Sequence, residues 1–324
     1  MAQNPSDTEH SAGRTDRTRR SFLASAGVAG GLAMAGCLGG GDDEEIRISG
    51  SSTVFPVSEA AGEEFQAEND VNVSVSSDGS TGGFEQFFLE GDSDINGSSR
   101  PILEEEVERA NENGFEPIEI QVAGDALTAI VNNDNPIDCM TIDELAQIWD
   151  PDAENELWSD VNPEWPDEEF ELFGPATTSG TFDYWTENVI GKFRQIRDDF
   201  EGTEEDDIIA QGVSGSEFAH GYLPYAYYDN NPDSIKALEI DAGEGCTAPS
   251  LEAASDGSYP LARPIFWYVN SEKLAERETL QEFVRFGIEM TGDNSIIADD
   301  IGYVPMNDQQ VSDNLATIDE VLGQ

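Results

Sequence analysis

Apolar positions along the chain fall into short runs that switch between two periods. Ile46 and Ile48 flank a polar residue as a strand does, and after the loop 49–53 the residues Val57, Ala60, Ala61 and Phe65 recur at helical spacing. Val71, Val73 and Val75 alternate with polar neighbours, which predicts a second strand, and 78–83 leads into a helical stretch at 84–89. A third segment, 94–98, runs into Ser99-Arg100-Pro101. Pro101 suits the start of the helix expected at 104–113, because the first helical position needs no N–H donor.

The same logic continues downstream. Segments 118–122 and 127–131 read as a pair of strands, and Thr141, followed by Asp143, Glu144 and Leu145, is an expected helix N-cap. Leu172 to Pro175 leads into Thr177-Thr178-Ser179-Gly180-Thr181 and a helical run at 182–190. A strand at 261–269 follows. Leu280, Phe283, Val284, Gly287 and Met290 form the apolar stripe of a long amphipathic helix. Alternating strands and helices indicate an α/β fold with largely parallel sheets. The chain has 324 residues, more than the roughly 250–300 at which single cores stop growing. Two lobes with a cleft are expected, one from 46–122 plus 266–324 and the other from 123–265.

Charge changes this picture more than hydropathy does. The chain carries 68 acidic and 15 basic residues, a formal net charge of −53. The 5 Trp, 8 Tyr and 16 Phe supply core material that a disordered acidic chain lacks. Such a surface repels itself at ordinary ionic strength, but in molar salt the screening length falls to about 3 Å. A halophilic, archaeal source is the reading this supports. The charge excludes nucleic acid as a partner, since duplex binding depends on Lys and Arg.

The N-terminus sets the expected compartment. Arg14 to Arg20 precede Ser21-Phe22-Leu23 and a small apolar run at 24–36, the pattern of a signal peptide, and Arg19-Arg20 with its flanks resembles the twin-arginine export motif. The run is too short and too rich in Gly and Ala for a membrane span, which requires roughly 20 residues. Met34-Ala35-Gly36-Cys37 resembles a lipobox, so residues 1–36 are expected to be removed and Cys37 to carry lipid. Segment 37–45 would be a flexible tether. Cys139 and Cys246 then remain on an oxidising side of the membrane, and a disulfide between them is expected.

Four segments place Ser or Thr with Gly or Pro just before an expected helix: 50–53, 79–83, 98–101 and 179–181. Each hydroxyl could simply cap its helix. Together, the unpaired N–H groups and partial positive charge of four helix starts could build an oxyanion pocket. Arg100 is the one cation within these loops, and its planar fork matches a tetrahedral oxyanion.

Ser49-Gly50-Ser51-Ser52-Thr53-Val54-Phe55-Pro56, the segments 94–100 and 174–185, and Gln211-Gly212-Val213-Ser214-Gly215 resemble the motifs of the PstS family, the phosphate-binding proteins of phosphate ABC importers. The resemblance runs from Ile46 to the C-terminus. It implies a two-lobed type II periplasmic-binding-protein fold with a ligand cleft between lobes. It further implies inorganic phosphate held by Ser52, Thr53, Val54, Ser80, Ser98, Ser99, Arg100, Ser179, Gly180 and Thr181, and an ABC permease as partner. A monomer without cofactor or metal is expected. Relatives carry an Asp where this chain has Ser99 and an Arg where it has Pro175. Arg100 could replace that cation, and Asp78, Asp94 or Asp183 could accept the phosphate proton.

Three rival readings compete with phosphate capture. A hydrolase would have to be built around His220, and Gly212-Val213-Ser214-Gly215-Ser216 only approximates a nucleophile elbow. His220 is expected instead in an aromatic cluster with Tyr225, Tyr227 and Tyr228. The carboxylates follow no calcium-loop spacing, and no Cys/His cluster suits zinc. A binding protein for sulfate or molybdate would use the same helix-start chemistry.

Overall fold

The structure, a computed structural model, describes residues 44–324. The twin-arginine leader, Cys37 and all but the end of the tether lie outside the described residues. In chain order the strands are β1 (Glu45–Gly50), β2 (Asn72–Val75), β3 (Ile95–Ser98), β4 (Pro117–Ala126), β5 (Thr128–Asn132), β6 (Cys139–Thr141) and β7 (Glu171–Pro175). They continue with β8 (Phe200–Thr203), β9 (Ala219–Leu223), β10 (Ile235–Ala237), β11 (Glu239–Asp241), β12 (Cys246–Thr247) and β13 (Ala262–Asn270).

Two five-stranded sheets carry the fold, ordered β2-β1-β3-β13-β4 and β10-β5-β9-β7-β8. In the first, β1 runs parallel to β2 and β3, while β13 is antiparallel to β3 and β4. In the second, β7 runs parallel to β8 and β9, while β5 is antiparallel to β9 and β10. Each sheet thus has one strand running against the rest, and the two layouts correspond strand for strand, with β1 matching β7 and β2 matching β8. Chain loops leave the carboxyl ends of the central strands, the place where open α/β sheets bind ligands.

Each sheet has its own core. Around the first, Ile46, Ile48, Val57, Phe65, Ile120, Trp267 and Phe283 are buried in one cluster. Phe65 of the helix Phe55–Glu68 meets Phe283 of the helix Glu278–Met290 edge to face at 5.4 Å. Trp267 Nε1 donates to Ser58 Oγ at 2.9 Å, so the indole fixes that first helix on β13 while burying its ring. The periodicities at 57–65 and 280–290 therefore belong to one packed interface, each large side chain contributing about 1.5–3 kcal/mol by burial.

The second core is built on Trp149, Trp158, Trp185 and Tyr222, with Trp185 and Tyr222 stacked at 4.1 Å. Thr141 caps the helix Ile142–Trp149 as expected: its Oγ1 accepts from Glu144 N, and its own N–H donates to the Glu144 carboxylate. A three-stranded sheet, β12-β11-β6, is closed by the Cys139–Cys246 disulfide expected from the sequence.

Candidate functional site

The four Ser/Thr loops meet between the two sheets. Loops following β1, β2 and β3 come from the first, and the loop following β7 comes from the second. Ser51 Oγ donates to Ser99 Oγ at 3.0 Å, Ser99 Oγ lies 3.4 Å from both Ser80 Oγ and Thr181 Oγ1, and Thr53 Oγ1 lies 3.1 Å from Thr181 Oγ1. Ser99 N–H donates to Ser80 Oγ at 3.1 Å. Five hydroxyls from chain positions up to 130 apart thus form one buried cluster.

Glycines permit this approach at two points. A Cβ on Gly180 would lie 2.2 Å from Ser80 Oγ and 2.8 Å from Ser99 Oγ. Gly79 has φ +74°, and a Cβ there would lie 2.4 Å from the Thr178 carbonyl oxygen on the other side of the cleft.

Arg263 is the cation on this cluster. Its Nη2 donates to Thr181 Oγ1 at 2.9 Å and to Thr53 Oγ1 at 3.5 Å, and its Nη1 donates to the Ser99 carbonyl at 3.3 Å. Nε and Nη2 both donate to Asp125 Oδ2, at 3.0 and 2.9 Å. Arg263 and Asp125 are cross-strand partners on β13 and β4, both buried, and Asp125 Oδ1 also accepts from Tyr225 N. Burial pushes the Asp125 carboxyl up, and Arg263 and the Tyr225 N–H oppose the shift. The pair satisfies the rule that buried charges come partnered, and it aims the outer edge of a guanidinium at hydroxyls from both lobes.

Arg100 departs from its expected role. Its Nε donates to Asp183, Nη1 to the Pro101 carbonyl and Glu106, and Nη2 to Thr81 Oγ1 and Glu106. All five N–H donors are taken, so no fork is left for a ligand. The physical reason is local: Glu106 sits one turn into the helix Glu104–Glu112 and curls back over the loop that presents Arg100. Ser98 is also committed, since its Oγ donates to the Arg100 carbonyl at 2.7 Å.

The other expected residues divide into two groups. Ser179 caps its own helix, accepting from Thr181 N at 3.1 Å, which leaves its O–H hydrogen as a donor. Val54 N donates to the Ser51 carbonyl and its side chain packs on Gly97, so it shapes the loop. Thr53, Ser80, Ser99, Gly180 and Thr181 line the meeting point, and Ser52 is buried in the same first loop beside Asp206.

The three carboxylates weighed as proton acceptors all have partners. Asp94 pairs with Lys273 and Arg277 and accepts from Arg47 N. Asp183 accepts from Arg100, Arg194 and Thr81. Asp78 is half-buried and accepts from Ser76. Another acid, Asp206, lies near Ser52, is buried, and has an oxygen with no partner. Arg263, Asp125 and Asp206 escaped sequence reasoning. The usable signal was a lone charge within each apolar strand run, Asp125 between Val122 and Val131 and Arg263 between Leu261 and Val269, because a buried charge requires a partner.

His220 is buried, but its company differs from expectation: it stacks on Trp158 at 5.9 Å and meets Trp149 edge to face at 5.5 Å. Burial lowers its pKa to about 3, and neither ring nitrogen has a partner. Ser214 donates to the Gln211 carbonyl within the helix Asp206–Gly215, so these two residues form no nucleophile–base pair.

Comparison with known proteins shows the family and the fold. Residues 23–289 match the PBP superfamily domain. The chain is 40% identical over 266 residues to the protein SphX of Synechococcus elongatus, covering 81% of this chain and 77% of that one. It is 33% identical over 306 residues to the phosphate-binding protein PstS of Staphylococcus saprophyticus, covering 92% and 93%. A putative phosphate ABC transporter substrate-binding protein from Clostridium perfringens, solved with bound phosphate, superposes with a TM-score of 0.68 at 26% identity, covering 82% of this chain and all of that one.

Proposed function

Because the chain belongs to the PstS family of phosphate-binding proteins within the PBP superfamily, we propose that it is the extracytoplasmic substrate-binding component of an ABC importer, binding inorganic phosphate between its lobes and delivering it to a membrane permease. One observation carries the assignment to the cleft: hydroxyls from both sheets gather around the Nη2 edge of Arg263. Ser52, Thr53, Ser80, Ser99, Ser179, Gly180 and Thr181 would surround the anion, and Arg263 would supply the charge expected of Arg100. A desolvated tetrahedral oxyanion requires many donors in fixed positions, and hydroxyls add to the helix-start dipoles without adding charge.

The lobes in this reading are 46–122 with 266–324, and 123–265. Phosphate would enter an open cleft and be retained as hinge motion brings the lobes together, the closed form being the one that docks on the permease. Its output is binding, and the family is one of transport proteins. For the N-terminal segment the reading is export by the twin-arginine route, lipidation at Cys37 and life as a monomer on the outer face of a halophile's membrane. Mass spectrometry of the protein recovered from membranes tests the anchor: a diacylglyceryl Cys37 as first residue is expected, and an unmodified N-terminus overturns it.

Titration calorimetry with phosphate, sulfate and molybdate in molar salt tests the ligand. Phosphate is expected to bind at least tenfold tighter than the other two. Preference for either of those, or no binding of phosphate, overturns the reading.

A further inference from the structure

The small sheet β12-β11-β6 keeps one face in the second core and turns the other outward. Met140 of β6 and Ile240 of β11 are paired and buried, so alternation along the strands sends Cys139, Glu239 and Asp241 to the opposite face. Register does the rest. Cys139 pairs with Glu239 across β6 and β11, and Cys246 pairs with Asp241 across β11 and β12. Cys139 Sγ, Cys246 Sγ and a Glu239 carboxylate oxygen all lie within 4.8 Å of one another. None of these three residues is buried, so an ion in solution has access to them.

We propose that these side chains form a redox-gated metal site: when the Cys139–Cys246 bridge is reduced, both thiolates and the Glu239 carboxylate bind one zinc ion.

The sequence shows no zinc cluster because 107 residues separate the two cysteines, and only the pairing of β6, β11 and β12 brings them to one carboxylate. Zinc takes thiolate and carboxylate ligands at about 2.3 Å and 2.0–2.2 Å in a tetrahedron, which sets neighbouring ligand atoms roughly 3.6–3.8 Å apart. The fold already provides that spacing. The turn leading to Cys246 stands without the bridge: Asp241 Oδ1 accepts from Gly243 N and Gly245 N at 2.7 and 3.0 Å, and both glycines have positive φ. The thiols therefore stay within reach of each other after reduction, and soft thiolates favour zinc over calcium or magnesium.

A dithiol reductant supplies the first step. Two electrons and two protons pass to the cysteines, the S–S bond breaks, and the reductant closes its own disulfide. Zn2+ then displaces both thiol protons to solvent, bonds to the two sulfurs and one Glu239 oxygen, and takes water in the fourth position. The ion spans the same 107-residue separation as the bridge it replaces, so β12 stays clipped to the sheet. The occasion for this rests on the export reading above, since the bridge does not persist in a reducing cytosol before export. The binding itself does not depend on that reading.

The test uses the full chain carrying Cys37→Ser, so that Cys139 and Cys246 are its two thiols, in molar salt. The protein is reduced with a small dithiol, freed of it without air, and titrated with Zn2+ and with Co2+. One ion per chain is expected, with the sulfur-to-cobalt charge-transfer band that the carboxylates of an acidic surface cannot produce. Zinc should raise the melting temperature of the reduced chain by about 3 °C or more and leave the oxidised chain unchanged. Cys139→Ser and Cys246→Ser should each weaken zinc binding by about a hundredfold or more, and Glu239→Gln, which keeps the bridge and hence the fold of the oxidised protein, by about tenfold. No sulfur band in the reduced chain, or an equal band in either serine variant, overturns the site. Zinc held as tightly by Glu239→Gln removes the carboxylate and with it the three-ligand arrangement.

Discussion

Arg100 Nε lies 2.7 Å from Asp183 Oδ2, an ion pair that crosses the cleft with both side chains buried. Thr81 and Arg194 complete the contact: Thr81 Oγ1 donates to Asp183 at 3.0 Å, and Arg194 donates to both Asp183 and Thr81. The residue expected to hold the ligand holds the lobes to one another instead. Removing one partner of a buried pair leaves the other charge unpaired, so Arg100→Ala is expected to cost about 3–5 kcal/mol in denaturant unfolding. Arg194 is 30% exposed, and Arg194→Ala should cost no more than about 1 kcal/mol while speeding phosphate release several-fold in stopped-flow measurements. Equal release rates would remove the interlobe contact from the closing mechanism.

Arg263→Lys keeps a positive charge beside Asp125 but loses the fork that reaches Thr53, Thr181 and Ser99. Phosphate binding should weaken by about 1.5–3 kcal/mol, read by calorimetry, with the fold retained. Affinity unchanged within error would place the anion elsewhere.

Two buried groups give opposite pH slopes. His220 has its pKa lowered from 6.5 to about 3, so below 6.5 the unfolded chain takes up a proton that the folded chain refuses. Stability present above 6.5 is lost as the pH falls toward 3, by up to a few kcal/mol, and His220→Phe should flatten that loss. Asp206, raised from 3.8 to about 7, favours the folded state below 3.8 and loses that contribution as the pH rises through 7. Asp206→Asn is thus expected to raise the melting temperature near pH 8 and not near pH 4.

Cys139 and Cys246 are 107 residues apart in sequence, so their bond closes a long loop of the unfolded chain. Replacing both with Ser should lower stability by about 2–5 kcal/mol in denaturant titration, with phosphate affinity unchanged because none of the hydroxyl cluster's hydrogen bonds reaches the small sheet.

The parts of the fold legible in the sequence were those with local causes. Period-2 and period-3.6 runs marked β1, the helix Phe55–Glu68 and the helix Glu278–Met290, and Thr141 with Glu144 marked a cap. Hydroxyl loops announced themselves by composition. What stayed hidden depended on partners distant in the chain. Arg263 reads as one polar position in an apolar strand until β13 pairs with β4 and sets it opposite Asp125, 138 residues away. Arg100 looked available because nothing in its neighbourhood shows that Asp183 will cross from the other lobe and Glu106 will curl back. Asp206 was submerged in an acidic run that reads as a solvated face, and only the turn after β8 sets it apart from Glu205 and Asp207.

The two chain crossings between the sheets are themselves neighbours, since β4 and β13 pair antiparallel along 117–126 and 262–270 before the chain enters and leaves the second core. A ribbon of two bonded strands resists shear and stretching and yields most readily to twist. Arg263 and Asp125 sit on that ribbon. An anion held by Arg263, as proposed, would therefore be coupled to the axle and not only to the jaws, so the torsion of one strand pair would register occupancy directly, without a relay of contacts through either lobe.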